Sequence, residues 1–135
     1  MRTRLMRVFG VAVIAAARLS AHHAFAAEFD IHRPIKLHGT VTRLDWINPH
    51  SWIYIDVKGA DGKIVNWMIE GGSPNALLRL GFTKDALPLG SDIVVAGFQA
   101  KDGSNRGVGQ SVSFADGRKL FLGGSAPGAN PPSVQ

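Results

Sequence analysis

The chain has 135 residues, a formal net charge of +5 and no cysteine. That length is sufficient for one domain and too short for two domains with separate cores. The absence of cysteine excludes disulfide bonds and thiolate metal sites.

The first 21 residues differ in composition from the rest of the chain. A basic stretch, MRTRLMR, is followed by the apolar run FGVAVIAAA and by small residues, which is the pattern of a secretory signal peptide. The apolar run is shorter than the roughly 20 residues that cross a membrane. We therefore expect residues 1–21 to be a signal peptide. The mature protein is expected to be periplasmic or secreted, without a membrane span.

Three cleavage positions are compatible with the sequence: before Arg18, before His22 and before Ala27. Cleavage before His22 would remove four arginines and leave 11 Lys and Arg against 10 Asp and Glu, a formal charge of +1. A nucleic-acid-binding domain normally has a clear basic excess. The sequence therefore argues against nucleic acid as a partner.

Residues 22–33 are predicted to be an N-terminal linker with a histidine pair, and residues 34–122 to be the folded domain. Three strands are predicted first, LHGTVTRLDW (37–46), SWIYIDVK (51–58) and KIVNWMIE (63–70), because their β-branched and aromatic residues alternate with polar ones. The turn residues Asn48-Pro49 and Gly59-Ala60-Asp61-Gly62 separate them.

A short helix follows the third strand. Ser73 is the expected N-cap and Pro74 the first helical residue, with NALLRL (75–80) as the helix and Gly81 as its stop. TKDAL (83–87) is expected to add a turn.

The last predicted elements are strands at 92–100 and 106–114 and a short closing strand, KLFL (119–122). Gly107 and Gly109 are expected to weaken the strand at 106–114. The Gly-, Pro- and Ser-rich tail, 123–135, is expected to be disordered.

This order of three strands, one helix and two strands predicts a β-rich fold with one short helix. We interpret it as an OB-like five-stranded barrel, β1-β2-β3-α-β4-β5. The alternative is a small α+β barrel or roll.

Several sequence blocks together resemble a family of small exported bacterial proteins known only as a domain of unknown function. The blocks are AHHAFAAEFD, GTVTRLDWINPHSWIYIDV, NWMIEGGSPNALLRLGF and AKDGSNRG. The resemblance implies export and a compact β-rich domain, and it supplies no activity.

Two loops flank the binding face of an OB-like barrel, and here both carry residues suited to a ligand. The candidate ligand-binding residues are Trp46, Asn48, His50, Trp52, Lys101, Asn105 and Arg106. Aromatic surface beside cations and amides would suit a small polar or anionic ligand, and a protein partner is the other possibility. The competing interpretation is that the tryptophans pack on neighbours and that both loops are simple turns.

Histidines are the only candidate metal ligands besides carboxylates. The candidates are His22, His23, His38 and His50. Cleavage before His22 would place a free amine beside an imidazole, the start of a copper-binding histidine brace, which needs a further imidazole from His38 or His50. The competing interpretation is a solvated linker.

No GxSxG, HExxH, phosphate-loop or dinucleotide motif occurs in the chain, so nothing indicates an enzyme. We predict an exported binding or accessory module that uses the β1–β2 and β4–β5 loops. A copper-binding or copper-dependent redox protein built on the mature N-terminal histidine is the alternative.

Overall fold

The structure, a computed structural model, describes residues 24–134. Residues 24–28 are helical (α1). The remaining elements are β1 (Phe29–Asp45), β2 (Trp52–Lys58), β3 (Ile64–Glu70), α2 (Pro74–Arg79), a 3₁₀ turn (Lys84–Ala86), β4 (Asp92–Ala100), β5 (Arg106–Phe114) and β6 (Lys119–Phe121).

The strands form one sheet that closes into a ring. Its order is β3-β2-β1-β4-β5-β6, with antiparallel neighbours throughout. The ring is closed by β3 and β5, which pair in parallel through residues 68–70 and 106–108. β6 pairs with the later half of β5, beyond this junction. The predicted β-rich fold is confirmed, with short helices only among residues 24–134.

β1 begins earlier than the sequence indicated. It starts at Phe29 rather than Leu37, so part of the predicted linker belongs to the sheet. Its first half pairs with β4 and its second half with β2. The exposed residues Ile31 to Pro34 obscure the alternation by which a half-buried strand is recognised.

Helix α2 forms where its capping residues predict it. The Ser73 hydroxyl accepts a hydrogen bond from the Ala76 amide at 3.2 Å, and Pro74 occupies the first turn. Ser73 thereby satisfies an amide that has no partner within the helix. Leu77 is the helix residue that enters the core.

The main core lies inside the ring. Residues from all the long strands, α2 and the following loops meet there, and the largest include Ile53, Ile55, Ile69, Leu77, Phe82, Ile93, Val95, Val112 and Leu122. The alternation in the strands and the helix pattern predict nine buried residues: Ile53, Ile55, Val57, Val65, Trp67, Ile69, Leu77, Val94 and Val112. Five of them are buried; Val57, Trp67 and Val94 are half-buried, and Val65 is exposed, because it lies where β3 has no second neighbouring strand.

A second apolar cluster covers part of the outer surface. It consists of Phe25, Phe29, Ala100, Val108, Ala126 and Ala129, with Phe98 at its margin. The tail was expected to be disordered, whereas Ala126 and Ala129 are buried here. Gln110 Nε2 donates to the Pro127 carbonyl at 2.7 Å, so small tail residues pack although their composition predicts no order.

Over residues 24–134, the helices are too short or too polar to span a bilayer.

Candidate functional site

The candidate site lies on the outer face of β2 and β3. Trp52 is the register partner of Glu70, and side chains of directly paired residues share one face of a sheet. Ile53 and Ile69, the next residues inward along each strand, point into the core. Because side chains alternate between faces, Trp52 and Glu70 project outward.

Glu70 is buried although it lies on the outer face. Its side chain is only 8% exposed, and Nδ1 of His50 lies 3.4 Å from its Oε1. Burial raises the pKa of the Glu70 carboxyl, while His50 and Arg106 act in the opposite direction and Glu28 adds to the rise. The charged form of Glu70 is therefore poorly solvated.

Arg106 and Glu28 form the other side of the site. Arg106 is the first residue of β5, and its Nη1 donates to Glu28 Oε2 at 3.0 Å. The Arg106 guanidinium also lies 5.3 Å from the centre of the Phe29 ring. Glu28 comes directly before β1, so the site joins the start of the domain to the β3–β5 junction.

Two buried polar atoms, one of them beside Glu70, lack partners within residues 24–134. His50 Nδ1 and Ser51 Oγ are buried and make no hydrogen bond within residues 24–134, and the 3.4 Å contact of His50 Nδ1 with Glu70 lacks hydrogen-bond geometry. Leaving such a group without a partner costs free energy. The His50 ring beside Glu70 therefore keeps hydrogen-bonding capacity that no group in residues 24–134 satisfies.

The structure brings together three of the predicted ligand residues: His50, Trp52 and Arg106. His50 comes from the β1–β2 loop and Arg106 follows the β4–β5 loop. Both lower the pKa of the Glu70 carboxyl. Trp52 lies beside Glu70 through strand pairing.

The other predicted ligand residues make different contacts. Trp46 packs against the main core, with its ring centre 6.1 Å from that of Phe82. Asn48 is exposed. The Lys101 ammonium donates to the Ala26 carbonyl, and the Asn105 carbonyl accepts from the Met68 amide at 3.1 Å.

The candidate metal ligands do not form a cluster in the part of the chain that the structure describes. His38 is exposed on β1 opposite Val94, and His50 faces Glu70. Residues 24–134 contain no group of three His, Cys, Asp or Glu side chains placed to hold a metal ion. His22 and His23 lie outside the described residues.

Sequence reasoning missed the central residue of the site. Glu70 ends a predicted strand and precedes Gly71, and it is not among the predicted ligand residues. Its burial depends on the pairing of β3 with β5, a strand that is far from it in sequence. The available signal was its position: opposite Trp52 in the predicted β2–β3 hairpin.

A groove of about 500 Å³ lies apart from this site. It is lined by Thr42, Arg43, Leu44, Lys84, Asp85, Leu87, Pro88 and Leu89, and none of these is a predicted ligand residue. Arg43 is already held by Asp45 through contacts of 2.7 and 2.8 Å.

Comparison with known proteins gives a family. A family model matches residues 10–110. The chain belongs to DUF6152, a family of unknown function. The match confirms the resemblance seen in the sequence blocks. The matched residues of this DUF6152 chain include His50, Glu70 and Arg106. No curated protein and no solved structure matches the chain.

Proposed function

We propose that this protein is an exported, periplasmic or secreted binding module that takes up a small polar ligand beside Glu70. The proposal rests on one observation: at the buried Glu70 carboxyl, His50 from the β1–β2 loop, 3.4 Å away, meets the β3–β5 junction that Arg106 begins at the end of the β4–β5 loop. Buried polar groups that converge from separate elements are typical of ligand sites.

An OB-like barrel is the architecture that we propose for this module. Three features support it: the order of three strands, a helix and two strands, the sharing of β1 between β2 and β4, and the parallel β3–β5 pairing. In OB folds the ligand face is formed by strands two and three with the β1–β2 and β4–β5 loops. Under this proposal Trp52, Glu70 and His50 belong to that face.

The chemistry of the site favours a ligand with several polar groups. Glu70 is an acceptor when ionised, and His50 Nδ1 has no hydrogen-bond partner among residues 24–134. Trp52 offers a flat apolar surface. Arg106 carries a positive charge that Glu28 offsets, so a highly charged polyanion such as nucleic acid is disfavoured. A protein partner presenting the same groups is the other form of this proposal.

Native mass spectrometry of protein isolated from the periplasm tests this function. We expect the wild-type protein to carry a small-molecule adduct, and Glu70→Gln or Arg106→Gln to reduce its occupancy about tenfold or more, because removing one partner of a buried polar contact weakens binding strongly. Lys84→Gln, in the separate groove, is the matched control. A wild-type protein without any adduct, or loss of the adduct in the control alone, would contradict the proposal.

Copper binding at a mature N-terminal His22 is the second candidate function. Phe25, which follows the histidine pair, packs on the domain, and Glu28 pairs with Arg106 at the site where His50 contacts Glu70. A domain imidazole therefore belongs to the same neighbourhood as the segment that follows His22 and His23. The proposed ligands are the His22 amine and ring, with His23, His38 or His50 completing a set of nitrogens.

Copper titration distinguishes a brace from a linker. A chain that begins at His22 should bind Cu(II) far more tightly than one with an extra N-terminal residue, because a brace requires the free amine. Affinity should fall as pH drops through about 6.5, since the imidazoles must be unprotonated to bind. His50→Gln and His38→Gln identify the domain ligand. Equal affinities of the two chains would exclude the brace.

A further inference from the structure

The first described residues of the chain are part of the folded domain. Phe25 is only 4% exposed. Its ring meets Phe98 edge-on, with centres 5.4 Å apart and planes at 81°, and lies 6.1 Å from Phe29. An edge-to-face arrangement of this kind is favourable beyond the burial of area alone.

Polar contacts hold the same segment at the β4–β5 turn. The Lys101 amide donates to the Glu28 carbonyl at 2.9 Å, and the Lys101 ammonium donates to the Ala26 carbonyl. Arg106 pairs with the Glu28 carboxylate at 3.0 Å. Residues 25 to 28 are thus fixed by side-chain packing and by main-chain contacts.

One of the three cleavage positions would destroy this packing. Ala24-Phe25-Ala26 matches the small-residue motif of signal peptidase sites well, and a cut there would begin the mature chain at Ala27. That product would lack Phe25 and the Ala26 carbonyl. Phe98, Phe29 and Val108 would lose an apolar neighbour, and a folded domain rarely leaves such a patch open.

We infer that the signal peptide is cleaved upstream of Phe25, so that residues 25–28 remain in the mature protein as part of its second apolar cluster. This inference rests on the proposed export. It favours the positions before Arg18 and before His22, both of which retain the histidine pair. The motif at residues 24–26 is then a structural segment that places Phe25 in the second apolar cluster.

The test uses the full chain, expressed in a Gram-negative host and recovered from the periplasm for intact mass measurement. We expect a mature N-terminus upstream of Phe25. Ala26→Leu should be processed at the same position, because cleavage before Ala27 needs a small residue at 26 and Ala26 is exposed in the fold. Ala21→Leu should block processing if the cut precedes His22.

The outcomes separate this inference from the proposed export. A mature chain that begins at Ala27, with processing blocked by Ala26→Leu, would overturn the inference and leave export intact. An uncleaved chain retained in the cytoplasm would overturn both.

A stability measurement on the processed protein tests the packing argument independently. Phe25→Ala in the full chain should lower the Tm of the mature product by about 10 °C or more. Ile31→Ala is the matched control, because Ile31 is 50% exposed, and its Tm should change by no more than about 3 °C. Equal shifts in the two variants would overturn the assignment of Phe25 to the folded domain.

Discussion

Gly97→Ala should destabilise the domain by about 3 kcal/mol, near the upper end of what overpacking a core causes. A Cβ atom at residue 97 would overlap with the carbonyl oxygen of Val108, and it would lie 3.1 Å from the Cα of Gly109. Both neighbours are main-chain atoms of β5, which cannot rotate away as a side chain can. The β4–β5 pairing would have to separate at this point.

Urea denaturation followed by circular dichroism measures this effect. Gly71→Ala is the matched control, because a Cβ at residue 71 would meet no atom nearer than 3.5 Å, and we expect a change within about 1 kcal/mol. A domain of this size is stable by only about 5–15 kcal/mol, so the Gly97→Ala loss should be obvious. If both variants unfold at the same urea concentration, close β4–β5 packing at Gly97 is refuted.

For the glycines of β5, the sequence predicts the wrong effect on the strand. Gly107 and Gly109 were expected to weaken the strand, since glycine packs no side chain and loses more entropy on folding. In the structure, a Cβ at Gly107 would lie 2.6 Å from Ile35 Cδ1, and one at Gly109 would overlap with Leu122. These glycines allow the ring to close around the core. Only the three-dimensional arrangement distinguishes the two roles.

The central hairpin and α2 were predictable because their signals are local. Ile53, Ile55 and Val57 alternate with polar or aromatic residues along β2, which is sufficient to define a strand and its buried face. Ser73-Pro74 likewise marks the start of a helix by its own chemistry. Such features need no information from distant residues.

The binding site was only partly predictable because its central acid depends on distant contacts. His50, Trp52 and Arg106 were identified from loop positions and residue types. Glu70 becomes buried because β5 pairs with β3, a contact between segments about 38 residues apart in sequence. No periodicity within β3 indicates that pairing, and a glutamate at the end of a strand is usually solvated.

Trp46→Ala should cost about 3 kcal/mol of stability, whereas Trp52→Ala should cost about 1 kcal/mol and abolish the ligand adduct. The two tryptophans border the same loop and were predicted to form one ligand surface. Trp46 packs on Phe82 at the main core, and truncating an aromatic residue in such a position leaves a cavity. Trp52 instead lies on the outer face beside Glu70, where cross-strand pairs contribute less to stability.

Urea denaturation and native mass spectrometry of the same two variants separate packing from binding. The expected pattern is a large stability loss with the adduct retained for Trp46→Ala, and the reverse for Trp52→Ala. Leu78→Ala, an exposed helix residue at 50%, is the control for both measurements and should change neither. If Trp52→Ala loses as much stability as Trp46→Ala and keeps its adduct, both tryptophans serve packing. The ligand face would then have to lie away from Trp52.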